Sequence, residues 1–165
     1  MRSVARTAGV DPALVTYYFG SKASLFAAAM RLPLDVPTIV ESLIADGAEG
    51  LGERLVRFFI SVWDDERSRE PLLALVRSAV SHEAAAATLR AFISEAFIGR
   101  VADRLGVEDA PLRATLVGAQ LIGLAMVRYV VRAEPLASVD GGTLVAWLAP
   151  ACDRYLAGAS PRRQS

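Results

Sequence analysis

The chain has 165 residues, which suits one domain or a small module joined to a medium one. Its apolar fraction of 53% allows a core of useful size, and its zero net charge means that any nucleic-acid contact must come from a local patch. The single cysteine, Cys152, and single histidine, His82, exclude an internal disulfide framework and a Cys-rich zinc site, and a reducing, cytoplasmic setting fits them best.

Helical periodicity dominates and strand alternation is scarce, so the expected fold class is all-α. A short first helix is predicted over residues 3–8, with Gly9 placed as a C-cap. Asp11-Pro12 opens the second: Asp accepts a cap hydrogen bond, and Pro at the first position lacks an N–H that would be orphaned anyway. This helix ends near Phe19-Gly20, and Ser21 caps a third with Leu25, Phe26, Ala29 and Met30 on one stripe. Pro33 and Pro37 mark the module boundary.

A short helix over 38–45 follows, then a Gly-rich turn over 47–52. Leu51, Leu55, Phe58, Phe59 and Val62 give a clear amphipathic helix. The polar run 64–70 reads as a loop, and the carboxylates Asp64, Asp65 and Glu66 as a solvated cap or loop. Leu72, Leu73, Val76, Ala79 and Val80 form the next stripe, and Leu89 to Val101 another, ending near Gly106. His82 falls at a helix end, as a surface cap.

The last two helices are expected over about 110–132 and 142–156. The first carries Leu112, Leu116, Ala119, Gly123 and Val127 on one side and Val117, Leu121, Leu124 and Val131 on another. A helix apolar on two sides needs cover on both, which implies a second subunit, a homodimer through these two helices, the alternative being a central helix fully wrapped by its own chain. Gln120 and Arg128 interrupt its apolar run, which falls short of the ~20 residues a bilayer requires, so no membrane span is expected.

Residues 4–26 have the helix–Gly turn–helix plan in which the second helix enters the major groove of double-stranded DNA. Val4, Ala5, Ala8, Val15 and Phe19 read as its small core, with Thr16 and Tyr17 pointing outward. Arg2, Arg6 and Lys22 give it a positive balance, and Lys22 sits just inside a helix N-terminus, where phosphate is favoured.

The run Val4-Ala5-Arg6-Thr7-Ala8-Gly9-Val10-Asp11-Pro12-Ala13-Leu14-Val15-Thr16-Tyr17-Tyr18-Phe19-Gly20-Ser21-Lys22 resembles the helix-turn-helix signature of the TetR (tetracycline repressor) family. The resemblance implies an operator-DNA-binding head over 1–33, a helical ligand-sensing and dimerisation domain over 34–158, and a disordered tail over 159–165. It implies a cytoplasmic regulator, a repressor released from its operator by a small-molecule inducer, with no cofactor and no metal. By position, Ala13, Thr16 and Tyr17 would face bases or nearby sugars, and Tyr18 and Lys22 phosphate, with Arg2 adding to the basic surface.

The chain departs from the family pattern in beginning inside what is usually the second helix, so an N-terminally truncated member, or a start codon upstream of Met1, is the expectation. A helical dimeric ligand-binding or interaction protein that has lost DNA binding is the alternative. In the sensing body the expected ligand-binding residues are Phe59, Trp63, Phe92, Gln120 and Arg128, with Phe58, Phe97 and Tyr129 as further aromatics. Gln120 and Arg128 would either bind ligand polar groups or pair across the dimer. The connection over 30–37 is the expected lever between head and body. An enzyme is not expected: there is no Gly-rich phosphate loop and no H-E-x-x-H.

Overall fold

The structure, a computed structural model, describes residues 2–20, 24–25, 28 and 36–160. Among the described residues every regular element is a helix. Helix α1 (Arg2–Ala8) and α2 (Pro12–Phe19) come first, then α3 (Val36–Ala45), α4 (Leu51–Asp64) and α5 (Glu66–Ser81). Helix α6 (Glu83–Ile93) runs through a π-helical turn (Ser94–Ile98) into α7 (Gly99–Leu105). Helix α8 (Ala110–Ala125) ends in a second π turn (Met126–Val131), and α9 (Gly141–Ala157) closes the body.

The body is organised around α9, which packs most extensively on α4 and next on α8. Leu51, Leu55, Val56 and Ile60 of α4 meet Leu144, Val145, Cys152 and Leu156 of α9 in one buried cluster. Val117, Leu121 and Leu124 supply the α8 side of it. Each aliphatic side chain buried in this way contributes roughly 1.5–3 kcal/mol. A second, smaller cluster joins Trp63, Ala125 and Tyr129 to the flank of α5.

Arginines satisfy the carbonyls left open at chain turns. Arg54 donates to Leu43 O, Glu49 O and Gly47 O, tying the end of α3 to the start of α4. Arg113 donates to Tyr155 O and Gly158 O at the end of α9, both at 2.8 Å. Helix α3 is held to α7 by the Arg100–Glu41 ion pair and by Arg104 donating to Ala45 O.

The polar run after α4 is not a loop. Asp65 caps a new helix there, accepting from the Ser68 amide and hydroxyl, and α5 continues to Ser81 with Pro71 inside it. The segment is polar because its first turn faces water, and Asp65 with Glu66 suits a helix start. His82 stands at the surface as the C-cap of α5 and the N-cap of α6, and it does so through its backbone, with no side-chain hydrogen bond at the N-cap. Helix α8 with its π turn spans 22 residues, long and apolar enough to cross a membrane by length and composition alone, where the sequence suggested a shorter run. Its inner face, Val117, Leu121 and Leu124, is packed in the core, as in the central helix of a globular body. Within the expected tail, residues 161–165 lie outside the described residues, as do residues 30–35 of the expected lever.

Candidate nucleic-acid interface and effector site

Helices α1 and α2 are joined by a tight turn. Gly9 takes a left-handed φ of 67°, and the Val10 amide donates to Ala5 O at 3.0 Å. Asp11 then caps α2, accepting from the Ala13 amide at 2.7 Å, with Pro12 at the first helical position. Ala5 and Val15 are buried where the two helices meet. Phe19 is half-buried, while Val4 and Ala8, expected in this small core, stand at the surface with Val10 and Leu14. Two helices this short bury only the residues at their crossing.

With Val15 turned inward, the opposite side of α2 is open. Tyr17 is 81% and Tyr18 74% exposed, and the rings meet edge to face at 5.3 Å between centroids. Ala13 and Thr16 are exposed on the same helix, and Arg2 on α1. The Thr16 hydroxyl donates back to Pro12 O at 3.1 Å. The residue is exposed, and a threonine offers a methyl group and oxygen lone pairs suited to a thymine methyl or a base amino group. Lys22 and Ser21 lie outside the described residues.

In the body, Phe59, Trp63 and Tyr129 form an aromatic row: Trp63 stacks on Tyr129 at 5.2 Å and sits 5.7 Å from Phe59. Tyr129 donates its hydroxyl to Asp64 Oδ1 at 2.8 Å. Burial first, and then Asp64, pushes the Tyr129 phenol up to about 12. Arg128 lies over the Tyr129 ring and donates to Leu136 O and Val139 O, both at 2.7 Å. The side chain of Phe92 lies outside the described residues. Gln120 is elsewhere: it is exposed, donates to the Tyr155 hydroxyl at 3.3 Å, and lines a groove between α8 and α9. The expected ligand residues therefore divide, with Phe59, Trp63 and Arg128 together and Gln120 apart.

That groove encloses about 610 Å³ and includes Leu116, Ala119, Gly123, Val127 and Trp147. Trp147 is 79% exposed and was not singled out in the sequence. A helical wheel finds it: Val145, Ala149, Cys152 and Leu156 make the buried stripe of α9, and Trp147 falls opposite. Asp64 and Arg69 were also passed over in the sequence as neighbours of Arg128, because the packing that gathers them is not local, and so was Arg132, which helical spacing places four residues on.

Residues 1–29 match the family model of bacterial regulatory proteins of the tetR family, and residues 49–156 match that of the tetracyclin repressor-like C-terminal domain. This chain belongs to the TetR family. A TetR-family regulator from Streptomyces coelicolor A3, known from its crystal structure, is 39% identical, covering 93% of this chain and 80% of that one, with a TM-score of 0.57. No curated protein matches. The chain is thus a DNA-binding transcriptional regulator, and the match over the helix-turn-helix argues against a protein that has lost DNA binding.

Proposed function

We propose that this TetR-family chain is a dimeric repressor that holds a two-fold symmetric operator and lets it go when a small molecule binds its body. The observation that carries the reading is the open face of α2. Its two most outward side chains are large aromatics with polar tips, on a helix whose other side is anchored by Val15. Ala13, Thr16 and Tyr17 would read base edges, while Tyr18, Lys22 and Arg2 would hold phosphate and set register. Residues 1–33 act as the reading head and 34–158 as the body in this account.

Dimerisation is assigned to the outer faces of α8 and α9. Leu112, Leu116, Ile122 and Trp147 are exposed there, and a Cβ on Gly123 would meet open space, so another helix can come close. An apolar surface of this kind favours a partner. Phe59, Trp63 and Arg128 belong to the effector side of the body, and Gln120 to the subunit side. Release is then a population shift: the effector lowers operator affinity only by its preference for one spacing of the two heads.

Selection of bound duplexes from a random pool tests the reading. A palindromic consensus with half-sites about one helical turn apart is expected. Enrichment of a single, unrepeated half-site, or none, would contradict it.

A further inference from the structure

Arg128 is 10% exposed, and its Nε is buried with no hydrogen-bond partner among the described residues. It lines a small recess of about 270 Å³ at the junction of α4, α5 and the second π turn, together with Asp64, Arg69, Tyr129, Arg132 and Ala137. We propose that this recess binds a small monocarboxylate, held by Arg69, Arg128 and Arg132.

Three guanidinium groups line the recess against one carboxylate, and that carboxylate is already engaged. Asp64 Oδ1 accepts from the Tyr129 hydroxyl and lies 3.6 Å from Arg128 Nη2. Arg128 Nη1 is committed to Leu136 O and Val139 O, which fixes the buried guanidinium in place. Arg69 is weakly engaged: it reaches Trp63 O and Asp64 O at 3.4 Å, and Glu66 only at 4.0 Å. The Arg132 side chain has no hydrogen bond or ion pair among the described residues, while its backbone amide donates to Val127 O where it ends the second π turn with a left-handed φ of 57°.

A guanidinium held this far from water favours a further anionic partner at whatever edge it still presents to the recess. Planar guanidinium groups match the two oxygens of a carboxylate. The nearby Asp64 disfavours a dianion such as phosphate more than a single carboxylate. The volume is below the roughly 300–1,000 Å³ of pockets for drug-sized ligands, which points to a small acid. The site names the ligand class of the effector reading above and rests on that reading for its regulatory meaning, but not for binding itself.

The test is calorimetry of the full chain at neutral pH with acetate, pyruvate and benzoate, against inorganic phosphate and chloride at equal ionic strength. At least one monocarboxylate should bind saturably, one per chain, and Arg132→Gln and Arg69→Gln should each weaken it tenfold or more. Arg132 is exposed and unpaired, so its variant should keep the wild-type unfolding midpoint. No saturable carboxylate binding, preference for phosphate, or unchanged binding in both variants would overturn the site. Operator binding by the unliganded protein separates the two readings. If it is intact while no carboxylate binds, the site alone falls. If a carboxylate binds through these arginines without changing operator affinity, the site stands and the effector reading falls.

Discussion

The backbone amide of Gly52 donates to the Asp153 carboxylate at 2.7 Å, across 101 residues of chain. Gly50, at the N-cap of α4, has no side chain to offer, so α9 supplies the capping oxygen from outside. The approach is close enough that a Cβ on Gly52 would stand 2.6 Å from the Asp153 amide and 2.9 Å from Ala149 O. Gly52→Ala should therefore destabilise the body by about 1–2 kcal/mol, because backbone overlap outweighs the gain in helix propensity. Asp153→Ala should cost about 1 kcal/mol by leaving the amide unpaired. Urea unfolding measures both; a more stable Gly52→Ala would contradict the close crossing.

The Tyr129 phenol is raised from 10.0 to about 12 by burial and by Asp64. A group whose folded value is raised stabilises the fold fully below its unfolded value and loses that contribution as pH climbs through the folded one. Stability should thus fall from about pH 10 to pH 12 in the wild type, and less steeply in Tyr129→Phe. At neutral pH that variant should lose about 1 kcal/mol with the hydrogen bond to Asp64. Thermal unfolding across the alkaline range decides it.

Burial raises the Cys152 thiol to about 11, with neighbouring Asp153 adding to the effect. It sits fully buried in the main core. Alkylation at pH 8 should be far slower than for a free thiol and should reach full rate only in denaturant. Rapid native labelling would show that the α4–α9 core opens readily.

Tyr17 and Tyr18 are exposed, so truncating either should leave folding unchanged and act on DNA alone. Tyr17→Ala should narrow the gap between specific and scrambled duplexes by about 1–3 kcal/mol, as loss of a base contact does. Tyr18→Ala should weaken both duplexes alike. Lys22→Gln should weaken both and lower the salt slope by about one. Electrophoretic shifts on matched duplexes separate these outcomes.

Trp147→Asp or Leu116→Asp places a charge on the groove of α8 and α9. Sedimentation should find these variants largely monomeric with wild-type helicity. A persistent dimer in both would move the interface elsewhere.

Local chemistry was the most legible part of this sequence. Asp11-Pro12 announced the start of α2, and Gly106, with a left-handed φ of 58°, closed α7 as expected. Those signals need no partner. The start of α5 was misread, although Asp65 and Ser68 stand at capping distance, because polarity alone does not separate an exposed first turn from a loop. The two apolar sides of α8 were visible. Which side the chain covers itself depends on contacts with α4 and α9: Val117 and Leu121 are buried, Leu112 and Leu116 exposed. Gln120 and Arg128 looked like one site because both break the same run. They lie eight residues apart on opposite sides of the entry to the second π turn, and the packing sends them to different faces. Asp64 could not be linked to Arg128 from spacing, since tertiary packing brings them together, whereas Arg132, four residues on from Arg128, was within reach of helical spacing.

The most direct test of the central claim is fluorescence anisotropy of the chain on the duplex beside its own gene, titrated with salt. The account predicts selective binding over a scrambled duplex, with log affinity falling linearly with log salt as phosphate contacts are screened. It also predicts that selectivity is reduced in Tyr17→Ala. Equal affinity for both duplexes, or selectivity untouched by Tyr17→Ala, would contradict the reading of α2 as the recognition helix.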